Sequence, residues 1–491
     1  MIRRHWPFAL VLALGAALRV ACEVAYRPAL FYSDSWGYLS MAHGSGIVTF
    51  APLRPSGYPL ILKLLSVVGD GLAAATFAQH AAGLVTAVLV YATCRGLGLK
   101  RWQATTAAGF VALDAWAIAL EHYILAEAFF GLALMLAVWA SLGAMRVDVE
   151  DAGAGSGRWA PASRLRPRPS AAIALGFAGL CLAAAALMRP VGLFAVPAWL
   201  IWMIWVRPGA RPVAAALAAL AVPLLVYSLA HAHVTGTFGL TQANGWFLYG
   251  RVGSIASCDG LDVARDARKL CDRPPEAAGE NQSFFMFNRR SPARRAFGGI
   301  SANSRKQARS NRILGKFARQ VILHRPGAYA ELVAGDFLRY LRPGPHAPHR
   351  EDQTVEFPNS GRIRFDDRTI RRRLFPDLRT QASTPAGALR SYGKVLHTSR
   401  LLVALGILAA LAAFALGRRT RDPRLPALFL TFGVGVGILL GSALAAGFAL
   451  RYLVPAVPEL AVMAALAAAS LASAAGGRAF SATRASARER V

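Results

Sequence analysis

Residues 171–188 read AAIALGFAGLCLAAAALM and contain no charged side chain. As a helix, an apolar run of this length crosses the ~30 Å hydrocarbon core of a membrane. Comparable runs lie near residues 7–25, 72–94, 104–120, 124–145, 191–206, 212–231, 400–417, 425–447 and 452–474. The sequence therefore predicts an all-α polytopic membrane protein with about ten transmembrane helices.

The composition supports a membrane protein and argues against a nucleic-acid partner. Hydrophobic residues make up 55% of the 491 positions. The formal net charge is +29, but Lys and Arg fall largely at the ends of the spans and in one long loop. Domains that bind nucleic acid instead gather basic residues on one face, interleaved with aromatic ones. We therefore expect no nucleic acid among the partners.

The basic residues also predict the orientation, because Lys and Arg in short loops resist translocation across the membrane. They fall at alternate ends of the spans, in the sets Arg3 and Arg4, Arg95 to Arg101, Arg146 to Arg168, Arg207 and Arg211, Arg418 to Arg424, and Arg478 to Arg490. With these sets in the cytoplasm, the protein is a multi-pass protein of the cell membrane with both termini cytoplasmic. The segments 26–71 and 232–399 then face outward.

This orientation divides the chain into the following segments: an N-terminal transmembrane module over 1–231 with a first outward loop at 26–71, a mixed, mainly helical extracytoplasmic domain over 232–399, C-terminal transmembrane helices over 400–475, and a cytoplasmic tail over 476–491. Residues 146–170 are rich in Gly, Ser, Pro and Arg without apolar periodicity, which predicts a disordered or loosely held linker.

The outward segment 232–399 has helical patterns of its own. Apolar residues between Tyr329 and Leu341 recur at spacings of three and four, which predicts an amphipathic helix. Basic residues from Arg305 to Arg319 lie on a preceding helical stretch. This basic face either contacts anionic lipid or glycan or is a solvated surface.

Two cysteines and three aromatic residues of the same segment leave alternatives open. Cys258 and Cys271 are either free thiols or a disulfide, and an oxidising compartment favours the disulfide. They do not have the spacing of a zinc site. Trp246, Phe247 and Tyr249 either stack on sugar rings or pack in a core.

A set of ionisable residues is predicted to meet at the outward ends of the spans. Charges at this depth are costly unless they are paired or functional. An arginine fork suits a phosphate, and a carboxylate at a membrane surface can act as a base. Structural ion pairs between these arginines and carboxylates are the alternative. The set comprises Asp34, Arg54, Glu121, His122, Glu127, Arg189 and Arg451.

Five stretches around these residues carry a resemblance to a known family. They are YSDSWGYLSMA (32–42), RPSGYPL (54–60), YILAE (123–127), MRPVGL (188–193) and RYLVPAVP (451–458). In this order and topology they resemble the GT-C superfamily of polytopic glycosyltransferases, particularly the protein O-mannosyltransferases and the aminoarabinose transferases of lipid A. The resemblance covers residues 1–231 and 400–475, and it implies a GT-C-like fold.

The resemblance implies transfer of a sugar from a polyprenyl-phosphate carrier to an acceptor hydroxyl on a protein, lipid or polysaccharide. Asp34 would be the general base of an inverting reaction at the extracytoplasmic face. Arg54 would hold the carrier phosphate with Arg189 or Arg451. The residues assigned to the acceptor side or to orienting the others are Glu127, Glu121, His122 and Tyr38.

The chain also departs from the family in one place. Many members carry paired acidic residues in the first loop, whereas Asp34 is followed by Ser35. Because a divalent ion usually needs more than one carboxylate ligand, we expect neither a metal nor another cofactor. The alternatives to a transferase are a secondary transporter or lipid flippase, and a non-catalytic protein that binds the cell envelope.

Overall fold

The computed structural model is built almost entirely from helices. It describes residues 2–69, 71–148, 164–277, 279–301, 304–343, 355–363, 366–420 and 422–488. The helices of the N-terminal part are α1 (Ile2–Ala25), α2 (Ser33–Ala42), α3 (Gly57–Leu65), α4 (Gly71–Gly96), α5 (Arg101–Ala112), α6 (Ala115–His122), α7 (Glu127–Gly143), α8 (Ala171–Met188), α9 (Val196–Val206) and α10 (Ala210–Thr235).

The remaining helices follow in chain order. They are α11 (Asn244–Val252), α12 (Gln282–Phe287), α13 (Pro292–Phe297), α14 (Ser304–His324), α15 (Pro326–Arg339), α16 (Arg368–Leu374), α17 (Pro385–Val395), α18 (Arg400–Thr420), α19 (Leu425–Ala445), α20 (Leu450–Leu453) and α21 (Val457–Arg488). Short 3-10 helices lie at Pro190–Ala195, Arg268–Cys271, Pro275–Ala277 and Val454–Ala456. The strands are β1 (Tyr26–Arg27), β2 (Met145–Asp148), β3 (Arg164–Pro167) and β4 (Gln381–Ala382), and β1 pairs with β4.

Every region predicted to span the membrane is helical. Within the described residues, 7 helices are long and apolar enough to cross a bilayer, or 8 if α5 and α6 form one bent span. α7 and the segment Pro190–Val206 are apolar but shorter. The protein is thus an all-α multi-pass membrane protein, and the predicted count of about ten spans is not confirmed.

Asp114 lies at the bend between α5 and α6. Its Oδ1 accepts a hydrogen bond from the backbone N of Trp116 at 3.1 Å, which caps α6. Its Oδ2 accepts another from Thr398 Oγ1 at 2.7 Å, just before α18. The bend is therefore held by a side chain that also attaches it to the C-terminal helices.

The predicted domain 232–399 divides between two hydrophobic cores. Residues 243–321, called here the 243–321 unit, surround a core of their own that includes Trp246, Tyr249 and Phe317. Trp246 and Tyr249 are fully buried, so these rings pack in the fold and do not face a sugar. Phe357 and Leu389 instead pack against the membrane core, as does much of the segment after α15.

Side chains of α11, α12 and α15 cap the C-terminal end of α19. The last carbonyls of a helix have no partner inside the helix. In α19, the carbonyl of Ala443 accepts from Arg251 Nε at 2.7 Å, and that of Ala445 accepts from Gln282 Nε2 at 2.8 Å. The Tyr329 hydroxyl donates to the carbonyl of Leu444 at 2.9 Å. These bonds fix the direction in which the chain leaves α19 toward α20.

The helical patterns of the loop segment are confirmed by α14 and α15. The basic residues of α14 from Arg305 to Arg319 are exposed, and its apolar side chains, such as Phe317, are buried in the 243–321 unit. Whether the basic face contacts lipid or glycan stays a prediction.

The predicted linker 146–170 is ordered at both ends. β2 and β3 pair antiparallel, with Arg146 opposite Arg166. Residues 149–163, where the prediction of disorder also applies, lie outside the described residues. The composition does not predict the pairing of β2 with β3, because a ribbon of two short strands needs little apolar periodicity.

Cys258 and Cys271 form a disulfide within the 243–321 unit, with Cα atoms 5.7 Å apart. A crosslink over 13 positions limits the unfolded chain and stabilises a fold by about 3 kcal/mol. We expect Cys258→Ser to lower the thermal unfolding midpoint of the purified protein. A reductant should lower the wild-type midpoint equally and leave the variant unchanged; a further drop in the variant would contradict the assignment.

Candidate active site

A backbone bridge positions the segment that leads into α2. The N of Leu30 donates to the carbonyl of His122, and the N of Ile124 donates to the carbonyl of Leu30, both at 3.0 Å. The connection from α1 to α2 is therefore fixed beside the connection from α6 to α7. As a result, Asp34 at the start of α2 and Glu127 at the start of α7 lie at the same end of the bundle.

The stretch YSDSWGY (32–38) forms the first turns of α2. The backbone N of Tyr32 donates to Ser35 Oγ at 2.9 Å. Ser35, which stands where many GT-C proteins carry a second acidic residue, therefore caps the start of α2. Asp34 lies in the first turn, where the helix dipole stabilises a negative charge.

Two glycines of the motifs allow close approach at this site. A Cβ on Gly37 would lie 2.6 Å from Arg54 Nη1, so the guanidinium crosses α2 over a bare backbone. A Cβ on Gly57 would lie 2.6 Å from the carbonyl oxygen of Leu187, where α3 meets the end of α8. These contacts explain why the motifs at 32–42 and 54–60 have glycine at positions 37 and 57.

The Gly37→Ala variant is expected to move the Arg54 guanidinium away from Asp34 while the fold persists. The clashing atom is the end of a flexible side chain, so it yields more easily than backbone does. Gly57→Ala, which meets backbone atoms, should instead lower stability. Thermal unfolding and the activity proposed below distinguish the two: equal stability losses in both variants would contradict this assignment.

The carboxylate of Asp34 is held between two arginines. Its Oδ1 pairs with Arg54 Nη2, and its Oδ2 lies 3.0 Å from Arg451 Nη1. Arg54 comes from the first loop and Arg451 from α20, so Asp34 contacts one arginine 20 positions away and another 417 positions away. The Asp34 side chain is 21% exposed, which leaves a small opening toward its surroundings.

A second ion pair lies beside the first. Arg189, just after α8, pairs with Oε1 of Glu127 at the start of α7. Its guanidinium carbon lies 4.8 Å from the centre of the Tyr452 ring, and that of Arg451 lies 5.1 Å from the same ring. The Tyr452 ring therefore connects the two ion pairs through cation–π contacts.

Electrostatics keep Asp34 ionised. Burial raises the pKa of its carboxyl, but the positive charges of Arg54, Arg451 and Arg189 lower it more, to well below the usual range for Asp. Burial raises the pKa of Tyr38 to about 12, although Arg189 and Arg54 oppose this rise. Asp34 is thus a carboxylate and Tyr38 a neutral phenol at neutral pH.

A pH series tests this ionisation state. Since the folded pKa of Asp34 lies below its unfolded value of about 3.9, its contribution to stability is complete above about pH 4 and is lost as the pH falls further. We expect the difference in unfolding midpoint between wild type and Asp34→Asn to be constant from pH 8 to about pH 5 and to shrink at lower pH. A difference that shrinks near neutral pH would contradict the lowered pKa.

The cluster formed by these side chains is positively charged overall. It contains three guanidinium groups, from Arg54, Arg189 and Arg451, and two carboxylates, from Asp34 and Glu127. One positive charge therefore remains without a counter-charge inside the cluster. A ligand with one negative charge would therefore make the cluster neutral overall.

Glu127 also has an oxygen that is not used by the fold. Its side chain is 1% exposed, and no described residue donates a hydrogen bond to its Oε2. A buried carboxylate oxygen without a donor is costly and invites a polar ligand group. This oxygen is therefore an unused hydrogen-bond acceptor inside the cluster.

The structure does not bring Glu121 and His122 into this cluster. Glu121 pairs with Arg19 at 2.7 Å, and its Oε2 lies 2.9 Å from His80 Nδ1. His122 Nε2 lies 2.6 Å from the carbonyl oxygen of Tyr26. Because α6 is packed against α1 and α4, its last side chains turn into the bundle.

Two aromatic residues that the sequence analysis did not assign belong to the site. The Arg451 guanidinium carbon lies 5.2 Å from the centre of the Tyr32 ring, and Arg451 Nη2 donates to the Tyr452 hydroxyl at 3.2 Å. Tyr32 lies within the motif at 32–42 and Tyr452 within the motif at 451–458, next to the charged residues Asp34 and Arg451. This proximity in the sequence could have identified them as site residues.

One protein family matches part of the chain. The family described as dolichyl-phosphate-mannose-protein mannosyltransferase matches residues 71–232. The match covers about a third of the sequence and includes Glu127 and Arg189, but not Asp34, Arg54 or Arg451. No curated protein matches significantly. The family match confirms the resemblance to GT-C glycosyltransferases.

Solved structures show low similarity over a long stretch. The archaeal oligosaccharyltransferase AglB from Archaeoglobus fulgidus, in complex with an inhibitory peptide and a dolichol-phosphate, is 12% identical with a TM-score of 0.40, covering 95% of this chain and 50% of that one. The S. cerevisiae protein O-mannosyltransferase Pmt1-Pmt2 complex, bound to the sugar donor, is 18% identical with a TM-score of 0.35, covering 54% and 37%. The chain thus spans half or less of the length of these proteins.

Proposed function

We propose, from the likeness to GT-C glycosyltransferases, that this chain is a membrane glycosyltransferase. It moves a sugar from a polyprenyl-phosphate donor to an acceptor hydroxyl, with inversion at the anomeric carbon. The observation that carries the proposal is the placement of Asp34 between Arg54 and Arg451, beside the pair of Arg189 and Glu127.

The charge of the cluster supports a monophosphate-linked donor. A sugar linked to a polyprenyl monophosphate is a phosphodiester with one negative charge, which balances the single excess positive charge of the three arginines and two carboxylates. As the sugar departs, the phosphate gains negative charge. Arg54, Arg189 and Arg451 stabilise this charge in the transition state, and their planar forks suit phosphate oxygens.

Asp34 acts as the general base in this proposal. In the structure, both of its oxygens are engaged by arginines, which makes the carboxylate a weak base. A donor phosphate competes for the same guanidinium groups and so raises the proton affinity of Asp34. The base is then active only with donor bound: it takes the proton of the acceptor hydroxyl as the hydroxyl oxygen bonds to the anomeric carbon and the phosphate oxygen leaves.

The positions of the basic segments support an extracytoplasmic site. α7 begins at Glu127 and ends at Gly143, near Arg146. α8 begins after Arg168 and ends beside Arg189. The site residues thus stand at the ends opposite to the basic segments. Because basic segments stay in the cytoplasm, we assign both termini to the cytoplasmic face and the cluster to the extracytoplasmic face.

The set of groups around Asp34 also supports catalysis without a metal ion. Every carboxylate of the cluster pairs with a guanidinium, and Ser35 serves the helix start. The guanidinium groups supply the charge that a divalent cation would otherwise bring to the leaving phosphate. We therefore propose that neither metal nor cofactor takes part in the transfer.

Purified protein in liposomes tests the function. Donors with one sugar on a polyprenyl monophosphate are supplied together with hydroxyl-bearing protein, lipid or polysaccharide acceptors, and mass spectrometry follows the polyprenyl phosphate released. We expect release that depends on the acceptor, and a product of inverted anomeric configuration by NMR. Movement of the intact donor between leaflets without release would instead support the flippase alternative.

A further inference from the structure

A group of metal-ligating side chains lies inside the bundle, on helices other than the one that carries Asp34. Cys22 of α1, His80 of α4 and His122 of α6 are buried, and one ligand atom from each lies within 4.8 Å of the others. Thiolate and imidazole are the ligands that zinc-type ions prefer. The three residues come from three helices, so their meeting depends on tertiary packing.

The hydrogen bonds of the two histidines fix where their protons lie. The carbonyl of Tyr26 can only accept, so the facing His122 Nε2 carries a proton. The Glu121 carboxylate is bound on both oxygens by Arg19, so the facing His80 Nδ1 carries one too. If both imidazoles are neutral, the remaining nitrogens, His80 Nε2 and His122 Nδ1, carry no proton, and each has a lone pair that can accept a hydrogen bond or bind a metal ion.

These two lone pairs face each other at 3.1 Å. Two acceptors at this distance repel unless a proton or a metal ion lies between or beside them. Two nitrogens that bind one tetrahedral ion at ~2.0–2.1 Å lie about 3.3–3.4 Å apart, close to the separation in the structure. The partners on the outer nitrogens, a carbonyl and a carboxylate, are those that commonly orient metal-binding histidines.

Glu23 offers a fourth ligand. Its Oε1 lies 3.8 Å from His80 Nε2, and no described residue donates a hydrogen bond to it. Glu23 lies outside the group of three, so its carboxylate has to turn toward the ion to complete a four-coordinate site of one Cys, two His and one Glu. The charges also balance: a divalent ion, the Cys22 thiolate and the Glu23 carboxylate sum to zero, as a buried site requires.

We propose that Cys22, His80, His122 and Glu23 bind one divalent transition-metal ion of the zinc type. Binding releases the thiol proton of Cys22. The ion links α1, α4 and α6 at the point where α1 leads into the loop before α2. It is structural, since Asp34 and its arginines lie on other elements, and it is separate from the metal-free transfer proposed above.

Metal analysis of the full chain tests the site. The protein is purified in detergent without chelators and without a nickel column, and its zinc is measured by mass spectrometry. We expect about one zinc per chain. After removal, Co²⁺ should restore one equivalent and give the absorption of tetrahedral cobalt with a thiolate ligand. Protein that contains no zinc and takes up neither ion in stoichiometric amount would show that a shared proton joins the histidines, and would overturn the proposal.

Matched serine variants assign the ligand. Cys22→Ser should lower the zinc content at least tenfold and remove the thiolate absorption of the cobalt form. Cys94→Ser is the control, because Cys94 is equally buried and lies on α4 with His80. Equal zinc content in the two variants would overturn the assignment. Cys22→Asp, which keeps a ligand, should retain metal and show that loss in Cys22→Ser is not misfolding. All readouts omit donor and acceptor, so they do not depend on the transferase proposal.

Discussion

Asp34→Asn is expected to lower kcat for sugar transfer by roughly 10²- to 10⁴-fold, the range that general base catalysis supplies. The amide has nearly the shape of the carboxylate but cannot take the proton of the acceptor hydroxyl. It also withdraws the negative charge that competes with the donor phosphate for Arg54 and Arg451. The KM for donor should therefore stay constant or fall. Initial rates at varied donor concentration give both parameters.

This split between kcat and KM separates a base from a structural residue. A residue that only held the arginines in place would, when changed, raise the KM for donor. The control is Asp366→Asn, which removes a carboxylate that pairs with Arg371 at 2.9 Å and does not belong to the arginine–carboxylate cluster. Full transfer by Asp34→Asn, or a loss confined to the KM for donor, would show that Asp34 is not the base.

Arg451→Lys is expected to lower kcat/KM for donor by roughly 10²- to 10³-fold, the usual cost of losing one group that stabilises charge in a transition state. Lysine keeps the positive charge but not the planar fork. In the structure that fork contacts Asp34 through Nη1 and the Tyr452 hydroxyl through Nη2. One ammonium group cannot reproduce both contacts and also bind phosphate. Donor titrations with single-turnover rates measure the loss.

Arg373→Lys is the matched control for this change. Arg373 donates to Ser40 Oγ on α2 at 3.2 Å, so it contacts the same helix as Asp34, but from an exposed position outside the cluster. It should retain activity close to wild type. If both lysine variants lose activity equally, general electrostatic attraction at this face, and not phosphate recognition by Arg451, explains the effect.

The membrane class and the helical regions were predictable because they depend on local composition. An apolar run such as 171–188 can satisfy its backbone in lipid only as a helix. Span lengths were less predictable. α7 and the segment Pro190–Val206 belong to the bundle but are short, since neighbouring helices as well as lipid surround them.

The depth of a charged residue along a span can be predicted from the sequence, but depth alone does not tell which way the side chain points. Asp34, Arg54, Arg189 and Arg451 meet as expected. Glu121 lies at the same level but turns toward Arg19, a charge inside α1 that was not considered as a partner.

The group around Cys22 could not be predicted from the sequence, because its residues meet only through tertiary packing. His80 and His122 are 42 positions apart, and no short motif joins them to Cys22. Metal sites are recognised in sequences by close spacing, as in zinc fingers. A site assembled from three separate helices has no such signature, and only the packing of α1, α4 and α6 reveals it.

The cap on α19 has a consequence for engineering a smaller enzyme. Arg251, Gln282 and Tyr329 all precede α16, yet they complete the hydrogen bonding of a transmembrane helix. Excision of residues 243–321 would remove Arg251 and Gln282 and leave two of the three carbonyls without these donors, and a buried carbonyl that loses its donor costs about 1–3 kcal/mol. A minimal version of this protein therefore cannot be made by joining the hydrophobic segments alone.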